Sequence, residues 1–518
     1  MNSLLKQAAE LYRAGRRAEA RACLRDVAEA AREDPAPLKE IANLAASQGD
    51  WAACREYVER LVVMLPDDAP GLQTLLGNVC YQAGDLDAAG EAHRAALARD
   101  ATRPEALAGL ATIELDHGRP DAAEELLLRA LDAAPGNATA MIGLAAVHAA
   151  RGEPLRAVQL LQPLADGGLL SAGLVRIHAG ACRQLGEYEQ GIGVVRQFLQ
   201  PARPPGERAD ALFALAGLYE AAGRTEEAFT AAAEANRVSR APFDPEALRE
   251  QVDRIIRALP RAHARSRAYA PSRAPLVFIA GMPRSGTRRV EQMLAQHPAV
   301  LATGAHGRLE SMARRLEAET SWPWERAFRA CSMASFETMA EGYLAPLGAI
   351  DPGIRAITDG VPLNVWYLGL AARVFPAARI VWCRRDPLDV GVSCFMESPG
   401  GRGDEFAGDL AHIGHYIRQV DRLMDHWRDA LPLPLHEVRY EDLADDPRRE
   451  LARLLQFLGL PWDEAALRFR DSRRYVTEGP GRWPGRPAPR TDGVGRHRPY
   501  EPFLGPLRSV LQGNDEAG

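Results

Sequence analysis

Glycine returns at nearly constant distance through the first half of the chain, and this period constrains the fold more than any other feature. Gly15, Gly49, Gly84, Gly118, Gly152, Gly186 and Gly223 are separated by 34, 35, 34, 34, 34 and 37 residues. Each lies between two alanine- and leucine-rich segments with helical spacing. In one unit Ala106, Leu107, Leu110, Ala111 and Leu115 form an apolar stripe, Gly118 breaks the helix, and Ala122, Ala123, Leu126, Leu127, Ala130 and Leu131 form the next stripe. Pro35, Pro66 and Pro135 are expected to close units by ending the second helix. One such hairpin cannot bury its stripe alone, so neighbouring hairpins must stack.

This period resembles tetratricopeptide repeats over roughly residues 3–240, about seven units. The resemblance implies an all-α repeat solenoid over residues 1–242, with a surface for a peptide or protein partner. Leu72, Leu75 and Leu76 are expected to pack in its core. A structural spacer or dimerisation arm is the other reading, because fold does not fix function. Residues 243–262 read as one more amphipathic helix, with Leu248, Val252, Ile255, Ile256 and Leu259 on one face, that covers the end of the array. A basic, Pro- and Ser-containing stretch at 263–275 reads as a linker, so residues 243–274 form a cap and connector before a domain at 275–518.

Composition narrows what that domain can do. Hydrophobic residues at 47% and charged residues at 25% exclude a disordered chain. A balance of 63 basic to 69 acidic residues offers no electrostatic footprint for nucleic acid. The only lysines are Lys6 and Lys39, so no lysine is available for phosphate binding or catalysis beyond Lys39. Seven scattered cysteines without a C-x-x-C pair read as reduced thiols, which points to a cytoplasmic protein without a zinc site. The first residues hold no export signal, and no run approaches 18 apolar residues, so no membrane span is expected.

The strongest local signal lies at 275–298, PLVFIAGMPRSGTRRVEQMLAQHP. Residues 276–280 read as a buried parallel strand, 281–287 as a glycine-bounded turn, and 288–296 as a helix stopped at His297 and Pro298. Strand, loop and helix N-terminus converge backbone N–H groups on one point, an anion site for a phosphate. Arg284, Ser285 and Thr287 add donors there, and Gly281 and Gly286 permit close approach. A Walker A loop would need a lysine after Gly286; here Thr287 follows, so a nucleotide kinase is disfavoured. An ordinary strand-to-helix turn is the plainer reading of the loop alone.

A second unit repeats the pattern. Residues 378–383 (ARIVWC) read as a strand after a helix at 363–374, and Asp386 and Pro387 open the helix that follows. Arg385 stands at the strand end and Ser393 eight residues later, a pair suited to a second phosphate. A surface ion pair of Arg385 with Asp386 or Asp389 is the alternative. A third strand at 435–440 leads into EDLADDP and a helix at 448–458. Alternating strands and helices imply a parallel sheet with ligand at the strand C-termini.

These segments resemble the sulfotransferase family. PRSGT follows one strand, an Arg with a Ser eight residues on follows another, and RYEDL comes later. TDGVPLN (358–364), CRRDPLDVGVSC (383–394) and VGRHRPYEPFLGPL (494–507) resemble the bacterial branch that fuses tetratricopeptide repeats to a domain similar to protein-tyrosine sulfotransferases. The resemblance implies a three-layer, P-loop-like α/β domain and transfer of a sulfuryl group from 3'-phosphoadenosine 5'-phosphosulfate (PAPS), in line and without a metal. The acceptor would be a hydroxyl or phenol, tyrosine included, of a peptide, protein or small molecule. It also implies that Arg284, Ser285, Gly286 and Thr287 hold the 5'-phosphosulfate and that Arg385 and Ser393 hold the 3'-phosphate.

The stretch from Arg470 to Arg498 holds eight arginines; in the family it folds over the nucleotide, with Arg486 and Trp483 at matching positions. A flexible basic loop is the plainer reading. Four departures fall on the transfer chemistry. Ala305 stands at the family's base glutamate, Gly360 at its lysine, Arg288 at a second threonine and Gly481 at a serine. Two readings follow. In a rewired enzyme His306 takes the acceptor's proton, with Glu310 as a stand-in, and Arg288, with Arg284, supplies positive charge to the bridging oxygen. In a catalytically impaired pseudo-sulfotransferase the fold serves as a repeat-protein scaffold. His297 is read as part of a helix stop, Glu291 as a helix ion pair, and Asp389, Glu441 and Asp442 as groups that orient backbone or arginines.

Overall fold

Left-handed glycines end the first helix of six repeat hairpins. Gly49, Gly84, Gly118, Gly152, Gly186 and Gly223 have φ of 65°, 85°, 70°, 75°, 78° and 75°, a region most side chains avoid. The computed structural model describes residues 2–14, 16–30, 34–239, 241–260, 272, 274–304, 306–398, 403–469 and 493–513; Gly15 lies outside them. Pro35 heads the helix Pro35–Ser47 and Pro66 heads the short turn Pro66–Asp68. Those two prolines therefore start elements rather than end them: at a first helical position the missing N–H has no partner to lose.

Within one hairpin Leu107, Ala111 and Leu115 are buried against Ala123, Leu127 and Ala130. Leu72 is buried and Leu76 packs at the edge of a core cluster, but Leu75 is 42% exposed. The expectation of a core role for Leu75 is thus corrected: it falls at the margin of the stripe on the helix Ala69–Gln82, where the helix turns to solvent. The seven cysteines are free thiols. No described helix is long and apolar enough to cross a membrane.

The chain divides into two compact units, the first Met1–Leu169 and the second beginning at Leu170. The division falls within the repeat array, so the hairpin of helices Pro205–Ala221 and Thr225–Ser239 belongs to the same unit as the α/β domain. The helix Pro245–Ala258 buries Leu248, Val252 and Ile255. It is tied to the helix Leu410–Ala430, where Arg422 Nη2 donates to Asp253 at 2.6 Å and His426 Nε2 donates to the Leu259 carbonyl at 2.9 Å.

Five parallel strands form the sheet of the second unit: β1 (Leu276–Gly281), β2 (Val300–Ala302), β3 (Ala356–Asp359), β4 (Arg379–Arg384) and β5 (Leu435–Arg439). Their spatial order is β2-β3-β1-β4-β5. β1 is central and pairs with β3 through Val277 and Thr358, and with β4 through Gly281 and Cys383. Side chains alternate between two buried faces. Val277, Ile279, Val381, Cys383 and Val438 pack with Met293, Leu451 and Leu454. Phe278 faces the other way, with ring centroids 6.3 Å from Tyr343 and 6.2 Å from Phe375. Burial on both faces explains why β1 reads as an unbroken apolar run, and each fully buried residue of this size contributes roughly 1.5–3 kcal/mol.

Sequence patterning missed β2 and β3. They are three and four residues long, too short for a periodic signal. The helix expected over 363–374 is instead a tight turn, Pro362–Tyr367, followed by the helix Leu368–Val374.

Candidate functional site

The chain leaves β1 at Gly281 and turns back on itself so that the helix Thr287–Leu294 starts at the strand's tip. Two close approaches dictate the glycines. A Cβ at Gly281 would stand 2.4 Å from the Cys383 carbonyl oxygen, and one at Gly286, φ +103°, would stand 2.7 Å from the Tyr440 ring. Arg284 between them adopts φ 69°, an uncommon conformation for a residue with a side chain. Such strain is concentrated where a loop is held for a purpose. Ser285 is buried, and its Oγ has no hydrogen-bond partner among the described residues. An orphaned buried hydroxyl costs roughly 1–3 kcal/mol, so the loop is built with a donor in reserve.

A second cluster lies at the tip of β4, beside β1. Asp386 caps the helix Pro387–Phe395, accepting from Leu388 N and Asp389 N at 2.8 and 3.1 Å. That leaves Arg385 pointing across the strand ends. Its Nη1 donates to the Arg284 carbonyl at 3.0 Å and to Ser393 Oγ at 3.3 Å, its Nη2 donates to the Gly493 carbonyl, and its Nε has no described partner. The guanidinium also lies over the Tyr440 ring, 4.6 Å from its centroid. Burial lowers the Arg385 pKa, opposed chiefly by the Asp389 carboxylate. Asp389 is itself 3.9 Å from Arg385 Nη2 and is committed elsewhere: it accepts from Gly495 N at 2.7 Å, His497 N at 2.9 Å and His497 Nδ1 at 2.7 Å. A bare surface ion pair is therefore not what Arg385 makes. Asp386, Asp389 and His497 also approach one another within ligand range of a metal, but Asp386 and Asp389 are engaged by these N–H groups.

Residues that sequence reasoning did not place join the two clusters. Glu397 pairs with Arg284 Nη2 through one oxygen and with Arg496 Nη1 at 3.0 Å through the other. Arg496 Nη1 also donates to Ser393 Oγ at 3.1 Å. The one available signal was the excess of arginine near the C-terminus, which carries no address. Arg486, Trp483 and Gly481 lie outside the described residues, as does Ala305.

The region of the four departures has a different character. Glu291, expected in a helix ion pair, is drawn into the interior. It is buried one helical turn beyond Thr287, and its Oε1 accepts from Thr358 Oγ1 at 2.9 Å and from Gly304 N at 3.2 Å. Burial, with the nearby Asp359 charge, pushes its pKa up to about 7 against those two hydrogen bonds and Arg288. Burial likewise raises Asp359, which accepts from Tyr343 Oη at 2.5 Å, Asn364 Nδ2 at 2.8 Å and Val361 N at 3.2 Å. His306 is exposed, two residues past Gly304, and Arg288 is half-buried in the first turn of the helix. Glu310 pairs with Arg314 on the next helix. His297 closes the helix as expected of a stop: its Nδ1 accepts from Ala299 N at 3.1 Å and its Nε2 donates to the Pro461 carbonyl at 3.0 Å. Glu441 Oε1 accepts from Asp386 N at 2.8 Å, a backbone-orienting contact.

Residues 275–464 match the family model described as the sulfotransferase family. Residues 39–104 and 109–167 match one tetratricopeptide repeat model and 81–135 another. Over 368 residues the chain is 27% identical to an uncharacterized protein of Aquifex aeolicus, covering 67% of this chain and 48% of that one. Over 205 residues it is 25% identical to protein-tyrosine sulfotransferase 1 of Danio rerio, covering 37% and 55%. It thus spans about half the length of these relatives. A solved sulfotransferase domain from the Synechococcus PCC 7002 olefin synthase aligns at 22% identity and TM-score 0.28, covering 39% of this chain and 80% of that one.

Proposed function

We propose that this chain, in which tetratricopeptide repeats precede a domain of the sulfotransferase family, moves a sulfuryl group from PAPS to a hydroxyl or phenol of a peptide, protein or small-molecule acceptor. The observation that carries this reading is a pair of unmet donors. Ser285 Oγ and Arg385 Nε, both buried, sit without partners among the described residues at the tips of adjacent strands. Two anionic groups on one nucleotide need two such cradles, and a fork-shaped guanidinium suits a phosphate.

In this reading Arg284, Ser285, Gly286 and Thr287 hold the 5'-phosphosulfate, and Arg385 and Ser393 hold the 3'-phosphate. Arg486 adds a cation from the C-terminal stretch. When bound, PAPS supplies the sulfuryl group: a bond forms from the acceptor oxygen to sulfur, the S–O bond to phosphate breaks with its electron pair, and the acceptor's proton passes to His306. Arg284 and Arg288 offset charge on the oxygen that leaves. The repeats present the peptide or protein partner.

A scaffold without catalysis is the second reading, and one observation favours it. Glu291 fills the space beside Gly360, where the family carries its lysine. Two measurements separate the readings. Calorimetry with adenosine 3',5'-bisphosphate should show binding that Arg385→Ala removes. Incubation with radiolabelled PAPS and a peptide library should then transfer label. Binding without label above a heat-killed control supports the scaffold; no binding at all rejects the donor site.

A further inference from the structure

Four contacts, among others in the described residues, join the last repeat hairpin to the α/β domain. Asn236 Nδ2 donates to the Phe395 carbonyl at 2.8 Å, and Ser398 Oγ donates to Asp210 at 3.0 Å. Phe229 stacks on Phe395 and Phe503, with centroids 5.1 and 4.3 Å apart. The fourth contact differs from these in where it leads. Glu220, at the end of the helix Pro205–Ala221, accepts from Arg496 Nε at 3.0 Å and from Nη2 at 2.9 Å. The third nitrogen of that guanidinium, Nη1, reaches Ser393 Oγ, the hydroxyl that Arg385 also reaches.

Two guanidinium groups on one hydroxyl repel each other. Neighbouring acceptors offset that repulsion: the Arg284 and Gly493 carbonyls on Arg385 and carboxylates on Arg496. The Glu220–Arg496 pair is 14% and 10% exposed, so solvent screens it little. The bidentate grip fixes the plane of the Arg496 fork as well as its charge. Glu397, the other carboxylate on Arg496, is more exposed and also serves Arg284.

We propose that Glu220 is a positioning residue for the 3'-phosphate cradle: a carboxylate from the repeat array that holds Arg496 so that it shares Ser393 with Arg385. This rests on the reading of Arg385 and Ser393 as the 3'-phosphate site. It makes the last repeat part of the donor pocket, and it confines the effect of Glu220 to ligands that carry a 3'-phosphate.

Calorimetry on the full chain tests this with two nucleotides, adenosine 3',5'-bisphosphate and adenosine 5'-monophosphate titrated at millimolar concentration. Glu220→Gln is expected to weaken the bisphosphate about tenfold and the monophosphate less than twofold. In an Arg496→Gln background the same change should cost less than about twofold for either nucleotide, because the two residues act as one unit. Glu220→Asp keeps the charge and should recover part of the affinity, and it serves as the folded comparison if Glu220→Gln melts early. Equal losses for both nucleotides, no loss for either, or additive losses with Arg496→Gln would overturn the positioning role while leaving the donor site standing. Failure of the unmodified chain to bind the bisphosphate would instead overturn the donor site and the positioning role together.

Discussion

The Glu291 carboxylate lies where a side chain on residue 360 would begin: a Cβ built on Gly360 would stand 1.9 Å from its Oε2. The two positions are joined as well as adjacent, since Glu291 is bonded to Thr358, two residues before that glycine. The helix behind the 281–287 loop and the tip of β3 are thus locked by one buried acid.

That acid should make stability depend on pH. Its pKa is pushed up to about 7 by burial, against an ordinary value near 4.5 in the unfolded chain. Between those two pH values the folded state holds a proton that the unfolded state has released. Stability therefore falls as pH rises through this window, by roughly 3 kcal/mol at most. Urea melts of Glu291→Gln should lack this fall and show a gain over the unmodified chain at pH 8. An identical pH slope in both proteins would mean that Glu291 is not the group that titrates.

Gly360→Ala should destabilise the domain by about 1–3 kcal/mol, because the new methyl group must displace the carboxylate. The cost should shrink when Glu291 is shortened in the same chain, a coupling that a double-mutant cycle reads directly. Equal costs in both backgrounds would show that the contact does not govern position 360.

Arg385 is expected to be irreplaceable by lysine. Its fork bridges the Arg284 carbonyl and Ser393 and stacks on Tyr440, and an ammonium group matches none of that geometry. Arg385→Lys should weaken adenosine 3',5'-bisphosphate at least about tenfold in calorimetry. A lysine variant that binds normally would leave charge alone as the requirement.

Leu72 and Leu75 offer a test in the repeats. Leu72→Ala removes a buried side chain and should cost about 2–5 kcal/mol. Leu75→Ala alters an exposed one and should stay within about 0.5 kcal/mol. Thermal melts of the two variants side by side would decide it, and equal losses would contradict the burial described for this helix.

What could be read in advance follows from the range of each signal. The 34-residue period and the loop at 281–287 are local: recurring glycines and an apolar run of five announce themselves in order. β2 and β3 hold their places only through neighbours far along the chain, so nothing within three or four residues marks them. The burial of Glu291 went unseen for the same reason. A glutamate on a short helix is ordinarily solvated, and its burial comes from Thr358 and Gly304, distant in sequence. The contact between Arg385 and Ser393 was legible because their spacing is short, whereas Arg496 and Glu220 lie 276 residues apart.

The central place of β1 sets a timetable for the chain as it is made. Repeat hairpins close between neighbouring helices and can form while later residues are still being added. β1 has no such option: Val277 waits for both Thr358 and Arg379 before its two edges are paired. Until β4 has left the ribosome, an apolar strand with open edges is the most aggregation-prone part of the nascent protein, and chaperone capture should be concentrated there.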